Sequence, residues 1–351
     1  MDSYNIHEKY MSRAIYLAKK GQGKVSPNPM VGCVIVKNKN IIGEGYHKKF
    51  GKPHAEINAI KSVKNKKTIE GSSIYITLEP CSHYGKTPPC VDEIINYKPK
   101  EVIISNKDPN PKINGKGIKK LKENNINVIE GINDVIGKEL NKRFFLNQKY
   151  KMPYIILKWA ETKDGFIAKT NGESKWISND VSRTLVHKWR SEESGILIGV
   201  QTAIKDNPKL TVRRWKGKTP IRIIIDPNNR LHNTAKVLKE KPITLIYNTT
   251  TTKKRKSNFF IKINPFSIHN IIQDVYKKGI SSIMVEGGTK TINYFIDSNL
   301  WHEARIFVSN KKFKKGVIAP NLNFENVNKE DINGDELHIT NNNAQFEKTK
   351  S

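Results

Sequence analysis

Cysteine is scarce in this chain, with three in 351 residues. That argues against a disulfide scaffold and makes a reducing compartment, the cytoplasm, the expectation. No apolar run reaches the roughly eighteen residues that a bilayer-crossing helix needs. The segment from Met1 to Lys20 lacks the apolar block and small-residue cleavage site of a signal peptide. It reads instead as an amphipathic helix with Tyr10, Ala14, Leu17 and Ala18 on one face. Acidic residues are few, 33 against 62 lysines and arginines, for a formal net charge of +29. Yet the lysines are spread along the whole chain among asparagine and isoleucine, and no arginine-rich helix or aromatic-studded basic groove stands out. Nucleic acid is therefore not the expected partner, whereas small anionic substrates fit the field.

Two cores are expected from the length. Strand and helix signals alternate throughout, which predicts layered α/β units. In the first, strands are expected at Val31 to Val36, Ile41 to Tyr46, Ser73 to Leu78, Glu101 to Ile104 and Asn127 to Ile129. Helices are expected near His54 to Val63, from about Cys90, at Gly117 to Glu123 and at Asp134 to Leu146. Cys33, inside Val31-Gly32-Cys33-Val34-Ile35-Val36, reads as a buried strand residue. The polar, basic stretch Gln148 to Pro153 reads as a boundary, giving domains 1–147 and 148–351. Beyond it, strands are expected at Tyr154 to Trp159, Gly195 to Ile198, Ile221 to Ile225, Ile243 to Tyr247, Ser282 to Val285 and Ala304 to Val308. Helices fall at Asp180 to Trp189, Ser267 to Lys278 and Lys290 to Ser298, and Thr249 to Asn258 reads as a charged loop. The tail after Asn342 has no periodicity.

The chemistry concentrates in His54-Ala55-Glu56 and in Glu79-Pro80-Cys81 through Pro88-Pro89-Cys90. One imidazole and two thiols supply three zinc ligands and leave a tetrahedral position open, the stoichiometry of a catalytic rather than a structural site. Helix starts at His54 and Cys90, together with the metal, favour thiolates at Cys81 and Cys90. Glu56, no ligand itself, is placed to shuttle protons, as the glutamate of zinc nucleobase deaminases does. The usual Pro-Cys-x-x-Cys spacing is replaced by eight intervening residues, Ser82 to Pro89. These include Ser82, His83, Lys86 and Thr87, donors suited to a sugar or phosphate, and the loop would crowd a nucleotide held in a polynucleotide.

At this point a resemblance emerges. Ser26-Pro27-Asn28-Pro29-Met30-Val31-Gly32, Gly43-Glu44-Gly45-Tyr46-His47, Gly51-Lys52-Pro53-His54-Ala55-Glu56 and Thr77 to Cys90 resemble the deaminase half of the bifunctional riboflavin-biosynthesis deaminase/reductases. The resemblance implies Zn2+ on His54, Cys81 and Cys90 with Glu56 as catalytic proton shuttle. It also implies Asn28 and His47 as contacts to the pyrimidine, with His83 and Lys86 toward the ribose phosphate.

After Pro153 the strongest feature that stands without the resemblance is Val285-Glu286-Gly287-Gly288-Thr289, a strand end running into a helix start. Paired glycines there admit a phosphate at the helix N-terminus; tight packing at the turn would produce the same pattern. Leu157 to Gly165, Gly172 to Ile177, Gly199 to Thr202 and Asp206 to Arg213 resemble, in order, motifs of the reductase half of that family. The resemblance implies a dihydrofolate-reductase-like α/β fold behind a three-layer cytidine-deaminase-like domain. It implies NADPH contacts from Ala160, Trp176, Thr202, Asp206, Gly288, Thr289, Lys290, Thr291, Ile292, Asn293 and Tyr294. Ser174, Arg190, Leu210, Arg213 and Glu286 would line the substrate, the arginines pairing its phosphate in bidentate fashion. Glu161 and Lys163 depart from the family pattern. The expected activity is deamination of a phosphoribosylaminopyrimidine followed by NADPH reduction of its ribosyl group. A homo-oligomer, dimer or tetramer, is implied, with neither membrane nor nucleic acid as partner. The reductase's proton donor is not identified by the sequence. The rival readings are a polynucleotide-gripping protein with a deaminase-like domain, and a deaminase whose second half has lost activity.

Overall fold

The structure, a computed structural model, describes residues 3–84, 88–173, 177–239, 241–322 and 327–342. It divides into two compact units, Met1–Lys151 and Met152–Ser351.

The first unit opens with α1 (Ser3–Lys19), β1 (Gly32–Lys37), β2 (Asn40–Tyr46), α2 (Ala55–Ser62) and β3 (Ser73–Leu78). It continues with α3 (Cys90–Asn96), β4 (Glu101–Asn106), α4 (Lys116–Glu123) and β5 (Asn127–Glu130). Two helices, α5 (Asp134–Leu140) and α6 (Lys142–Tyr150), close it. The sheet order is β2-β1-β3-β4-β5. β1 runs antiparallel to both β2 and β3, while β3, β4 and β5 are parallel. Its central strands are apolar on both faces, as helices on both sides require. Cys33, Ile35, Ile74, Ile76, Val102 and Ile104 face α2, α3 and α4. Val34, Tyr75 and Ile103 face α1, whose Tyr10, Ala14 and Leu17 are buried there as the amphipathic pattern predicts. The single helix expected from Asp134 to Leu146 is instead two. Asn141, at φ −108° and ψ 22°, breaks the ladder between them.

The second unit begins with β6 (Tyr154–Thr162), β7 (Phe166–Lys169), α7 (Asp180–Glu192), β8 (Gly195–Gly199) and α8 (Val200–Asp206). Next come β9 (Ile221–Ile225), α9 (Lys236–Lys239), β10 (Thr244–Asn248), β11 (Lys253–Arg255) and β12 (Asn258–Lys262). The chain ends with α10 (Ile268–Lys277), β13 (Ser282–Val285), α11 (Thr289–Asp297), β14 (Glu303–Ser309), β15 (Gly316–Ile318), β16 (Asn328–Ile332) and β17 (Asp335–Asn341). Ten strands form one sheet in the order β11-β12-β10-β9-β8-β13-β6-β14-β17-β16, and β15 pairs with β7. The strands from β12 to β14 are parallel, and antiparallel strands finish both edges. One face packs on α10 and α11 through Ile271, Val275, Ile292 and Phe295. The other carries α8 and α9 through Val200, Ala203 and Val237. Within the stretch read as a charged loop, Lys253–Arg255 pairs with β12, because an edge strand exposes its side chains and needs no apolar alternation.

Candidate active sites

In the first unit the chemistry lies beyond the carboxyl ends of β3 and β4, where α2 and α3 begin. His54 is the N-cap of α2, and Cys90 is the first residue of α3. Cys81 follows β3. Their donor atoms converge: His54 Nδ1 lies 3.3 Å from Cys90 Sγ and 3.6 Å from Cys81 Sγ. All three fall within 4.8 Å of one another. A tetrahedral ion with bonds of about 2.1 Å to nitrogen and about 2.3 Å to sulfur places its ligands roughly 3.6 Å apart, so the donor set fits zinc. Cys81 ionises first, drawn well below the free-thiol range by the Cys90 hydrogen bond, while Cys90 is pushed up by the same contact and by burial. The His54 imidazole is raised, chiefly by its bond to Cys81.

Glu56 sits in the first turn of α2, 3 % exposed, and its Oε2 has no hydrogen-bond partner among the described residues. Burial, with the Cys81 charge beside it, pushes its carboxyl up to about 7. An orphaned buried carboxylate oxygen next to an incomplete ligand set is where a water and an amine would exchange protons. The surrounding cavity, about 290 Å³, is lined by Asn28, His47, His54, Glu56, Cys81 and His83 among others. His47 Nδ1 lies 3.2 Å from the Pro53 carbonyl, and its Nε2 lies 3.2 Å from Asn28 Nδ2. With Nδ1 donating, Nε2 accepts from Asn28, a pairing suited to a neutral ring, and burial lowers the His47 pKa. That leaves Asn28 Oδ1 without a partner among the described residues. Nδ1 of His83 is buried and equally unpartnered. Lys86 lies outside the described residues.

The loop carrying Cys81 is anchored by Glu79, a residue quoted in the motif but given no role by sequence reasoning. Its carboxylate accepts four backbone N–H groups, from Asp108 (3.2 Å), Gly115 (2.9 Å), Gly117 (3.0 Å) and Ile118 (3.3 Å). It thereby caps α4 from across the fold.

In the second unit a cleft of about 720 Å³ opens at the carboxyl ends of β6, β8 and β13. Of the residues that the resemblance assigns to NADPH, Ala160, Thr202, Asp206, Gly288, Thr289, Lys290, Thr291 and Ile292 line this cleft. Asn293 and Tyr294 fall outside that lining, on the following turn of α11, and Tyr294 is half exposed. Trp176 and Ser174 lie outside the described residues. The backbone is built for close approach here. Gly287 holds φ +132°, a Cβ on Gly199 would lie 2.3 Å from Thr291 Oγ1, and one on Gly288 would lie 3.0 Å from Thr202 Oγ1. Gly288 caps the start of α11, whose first-turn N–H groups lie beyond the helix's own ladder, an arrangement that takes a phosphate. These residues fit a dinucleotide cofactor.

An adjoining cavity of about 630 Å³ holds Arg190, Lys205, Lys209, Leu210 and Arg213. Arg190 and Glu286 form a bidentate pair, Nε to Oε1 at 2.7 Å and Nη2 to Oε2 at 2.5 Å. This corrects one expectation, since the Arg190 fork already engages a carboxylate and is not open to a phosphate. Arg213 keeps its fork free, its side chain having no partner among the described residues. Glu286 lines the larger cleft rather than the arginine pocket. Burial raises its carboxyl, but the Arg190 charge and hydrogen bonds, with Lys158, bring it below the ordinary value of 4.5. Lys158, which sequence reasoning passed over inside an apolar strand, lines the same cleft. Burial lowers its ammonium pKa, the Glu286 charge opposes this and Arg190 adds to it. Its only sequence signal is a lysine interrupting Tyr154-Ile155-Ile156-Leu157.

A three-layer unit with an open His-Cys-Cys set and a buried glutamate, joined to a parallel-sheet unit with a glycine-lined cofactor cleft, defines a zinc deaminase fused to a nicotinamide-dependent reductase. Residues 4–106 match the family described as cytidine and deoxycytidylate deaminase zinc-binding region, and residues 153–312 match the RibD C-terminal domain. The chain is 40% identical over 329 residues to the riboflavin biosynthesis protein RibD of Aquifex aeolicus, covering 92% of each. It is 34% identical to that of Escherichia coli, covering 87% of this chain and 88% of the relative. The crystal structure of a Thermotoga maritima diaminohydroxyphosphoribosylaminopyrimidine deaminase/5-amino-6-(5-phosphoribosylamino)uracil reductase superposes with a TM-score of 0.89 at 37% identity, over 96% of this chain and 99% of that one. An Acinetobacter baumannii RibD superposes at 0.88 with 31% identity, over 96% and 99%. The chain belongs to the RibD family of riboflavin biosynthesis proteins.

Proposed function

We infer that the first unit removes the 2-amino group of 2,5-diamino-6-(5-phosphoribosylamino)pyrimidin-4-one. The second unit then reduces the ribosyl group with NADPH, giving 5-amino-6-(5-phosphoribitylamino)uracil. The observation that carries the reading is the convergence of His54, Cys81 and Cys90 beside the buried Glu56, whose Oε2 has no partner among the described residues. His54, Cys81 and Cys90 would hold zinc, which would supply a water acidic enough for hydrolysis near neutral pH. Glu56 takes the first proton of the water and gives it to the ring nitrogen, then carries the second, from the new hydroxyl on the ring carbon, to the amine, which departs as ammonia. Asn28, oriented by His47, reads the pyrimidine edge, and His83 is the described residue assigned to the ribose phosphate, a role the resemblance extends to Lys86.

In the second unit the Gly288 turn, Ala160, Thr202 and Asp206 would hold NADPH, which would supply the hydride; the resemblance adds Trp176, outside the described residues. Lys158, with its lowered affinity for a proton, is the group placed to protonate the sugar oxygen, and Glu286 orients it. Arg213 takes the phosphate, with Leu210 in the same cavity, and the resemblance adds Ser174 to the substrate's contacts. The protein works in the cytoplasm, as a homo-oligomer, and without nucleic acid. No helix among the described residues is long and apolar enough to cross a membrane.

A coupled assay on the diaminopyrimidine ribotide, following ammonia release and NADPH oxidation separately, tests this. Glu56→Gln loses ammonia release by about 10²- to 10⁴-fold and keeps reduction of the pre-deaminated substrate. Loss of both activities in that variant would overturn the two-site assignment.

A further inference from the structure

The deaminase cavity has one apolar wall that sequence motifs did not indicate. Phe144 lines the cavity with His47, His54 and Glu56, yet it comes from α6, the helix that closes the unit. It belongs to neither of the apolar clusters that pack the sheet of this unit. An aromatic ring kept out of the core and turned to a cavity that also holds Asn28, His47 and Glu56 offers its face to a ligand. The helix carrying it is fixed one turn earlier. Asn141, 3 % exposed, accepts from the Met30 N–H at 2.8 Å and donates to the Met30 carbonyl at 2.9 Å, across 111 residues of sequence. That two-point clamp ties the start of α6 to the loop bearing Asn28. A pyrimidine whose edge meets Asn28 and Glu56 still has two bare faces. Phe50, the other phenylalanine in the lining, lies in a turn and is 42% exposed.

We propose that the Phe144 ring stacks on the pyrimidine–ribosyl ligand and sets its position in the deaminase cavity, with Asn141 as the positioning residue that registers ring and Asn28 loop together. The inference rests on the deaminase reading above. Loss of the aromatic stack and of the ring's buried area in Phe144→Ala predicts a KM for ammonia release raised about tenfold or more, with kcat within about twofold.

The test uses full-length, zinc-loaded protein and three variants, Phe144→Ala, Phe144→Leu and Phe144→Tyr. Ammonia release gives KM and kcat, and calorimetric titration of the diaminopyrimidine ribotide into the same variants on a Glu56→Gln background gives affinity without turnover. Phe144→Tyr, which keeps the ring face, retains the wild-type KM and affinity. Phe144→Leu, which keeps apolar bulk without the face, behaves like Phe144→Ala. Zinc content and NADPH oxidation stay unchanged in all three. Unchanged affinity in Phe144→Ala, full rescue by leucine, or parallel loss of zinc in every variant each overturns the proposal. Failure of the wild-type protein to release ammonia would instead strike the deaminase reading itself.

Discussion

Replacing Arg190 by methionine removes the cation from a pair whose side chains are 13% and 8% exposed. Both hydrogen bonds of the fork go with it, and Glu286 is left charged and buried. Breaking such a pair costs about 3–5 kcal/mol. With Lys158 still facing Glu286, the lower end applies, about 3 kcal/mol, or a fall of about 6 to 12 °C in a unit of this size. The double variant Arg190→Met/Glu286→Gln carries neither charge, and Lys158 can shed its proton where a guanidinium cannot. It therefore recovers most of the loss. The pH dependence follows from the depressed carboxyl of Glu286. In the wild type the pair's contribution is complete above the unfolded value and disappears as pH falls through the lower, folded one. In Arg190→Met the carboxyl titrates higher, so the deficit shrinks on acidification. Scanning calorimetry from pH 4 to 8 reads both effects. Equal or greater destabilisation of the double variant, or a deficit that grows toward acid, would refute the reasoning.

Three further outcomes are expected. Cys90→Ser lowers bound zinc below one per chain by atomic absorption and removes ammonia release while NADPH oxidation persists. His302, whose Nδ1 accepts the Ile155 N–H at 2.9 Å, is pushed down to about 4 by burial. The unfolded chain takes that proton near 6.5 and the folded one only near 4, so falling pH withdraws up to about 3 kcal/mol across this window. His302→Gln flattens that limb in urea titrations. Arg213→Ala raises the reductase KM about 10- to 100-fold for the phosphorylated substrate, and far less for its dephosphorylated analogue.

The zinc ligands were legible because each lies in a short segment whose composition is itself unusual. A Pro-Cys after a strand, a second cysteine after two prolines and a His-x-Glu at a helix start are all local patterns. The central strands were equally plain, being buried on both faces and so nearly uninterrupted runs of isoleucine and valine. What stayed hidden depends on distance. The Asn141 clamp spans 111 residues and occupies what reads as the middle of one helix. The Arg190–Glu286 fork spans 96, and an arginine's partner cannot be read from its neighbours in sequence. Lys158 was masked by its strand, where a lysine among apolar residues looks like an alternation error. The edge strands Lys253–Arg255 and Asn328–Ile332 carry almost no apolar signal because only one side of each is paired.

Glu79 bears on how the metal arrives. Four amide groups from residues 108 to 118 hold its carboxylate, so the segment two residues before Cys81 is fixed by contacts that involve no metal. His54 and Cys90 are likewise set by the starts of their own helices. The segments that carry the three donors are thus anchored by protein contacts as well as by any bond to zinc, and an arriving ion would meet chain held from both sides of Cys81.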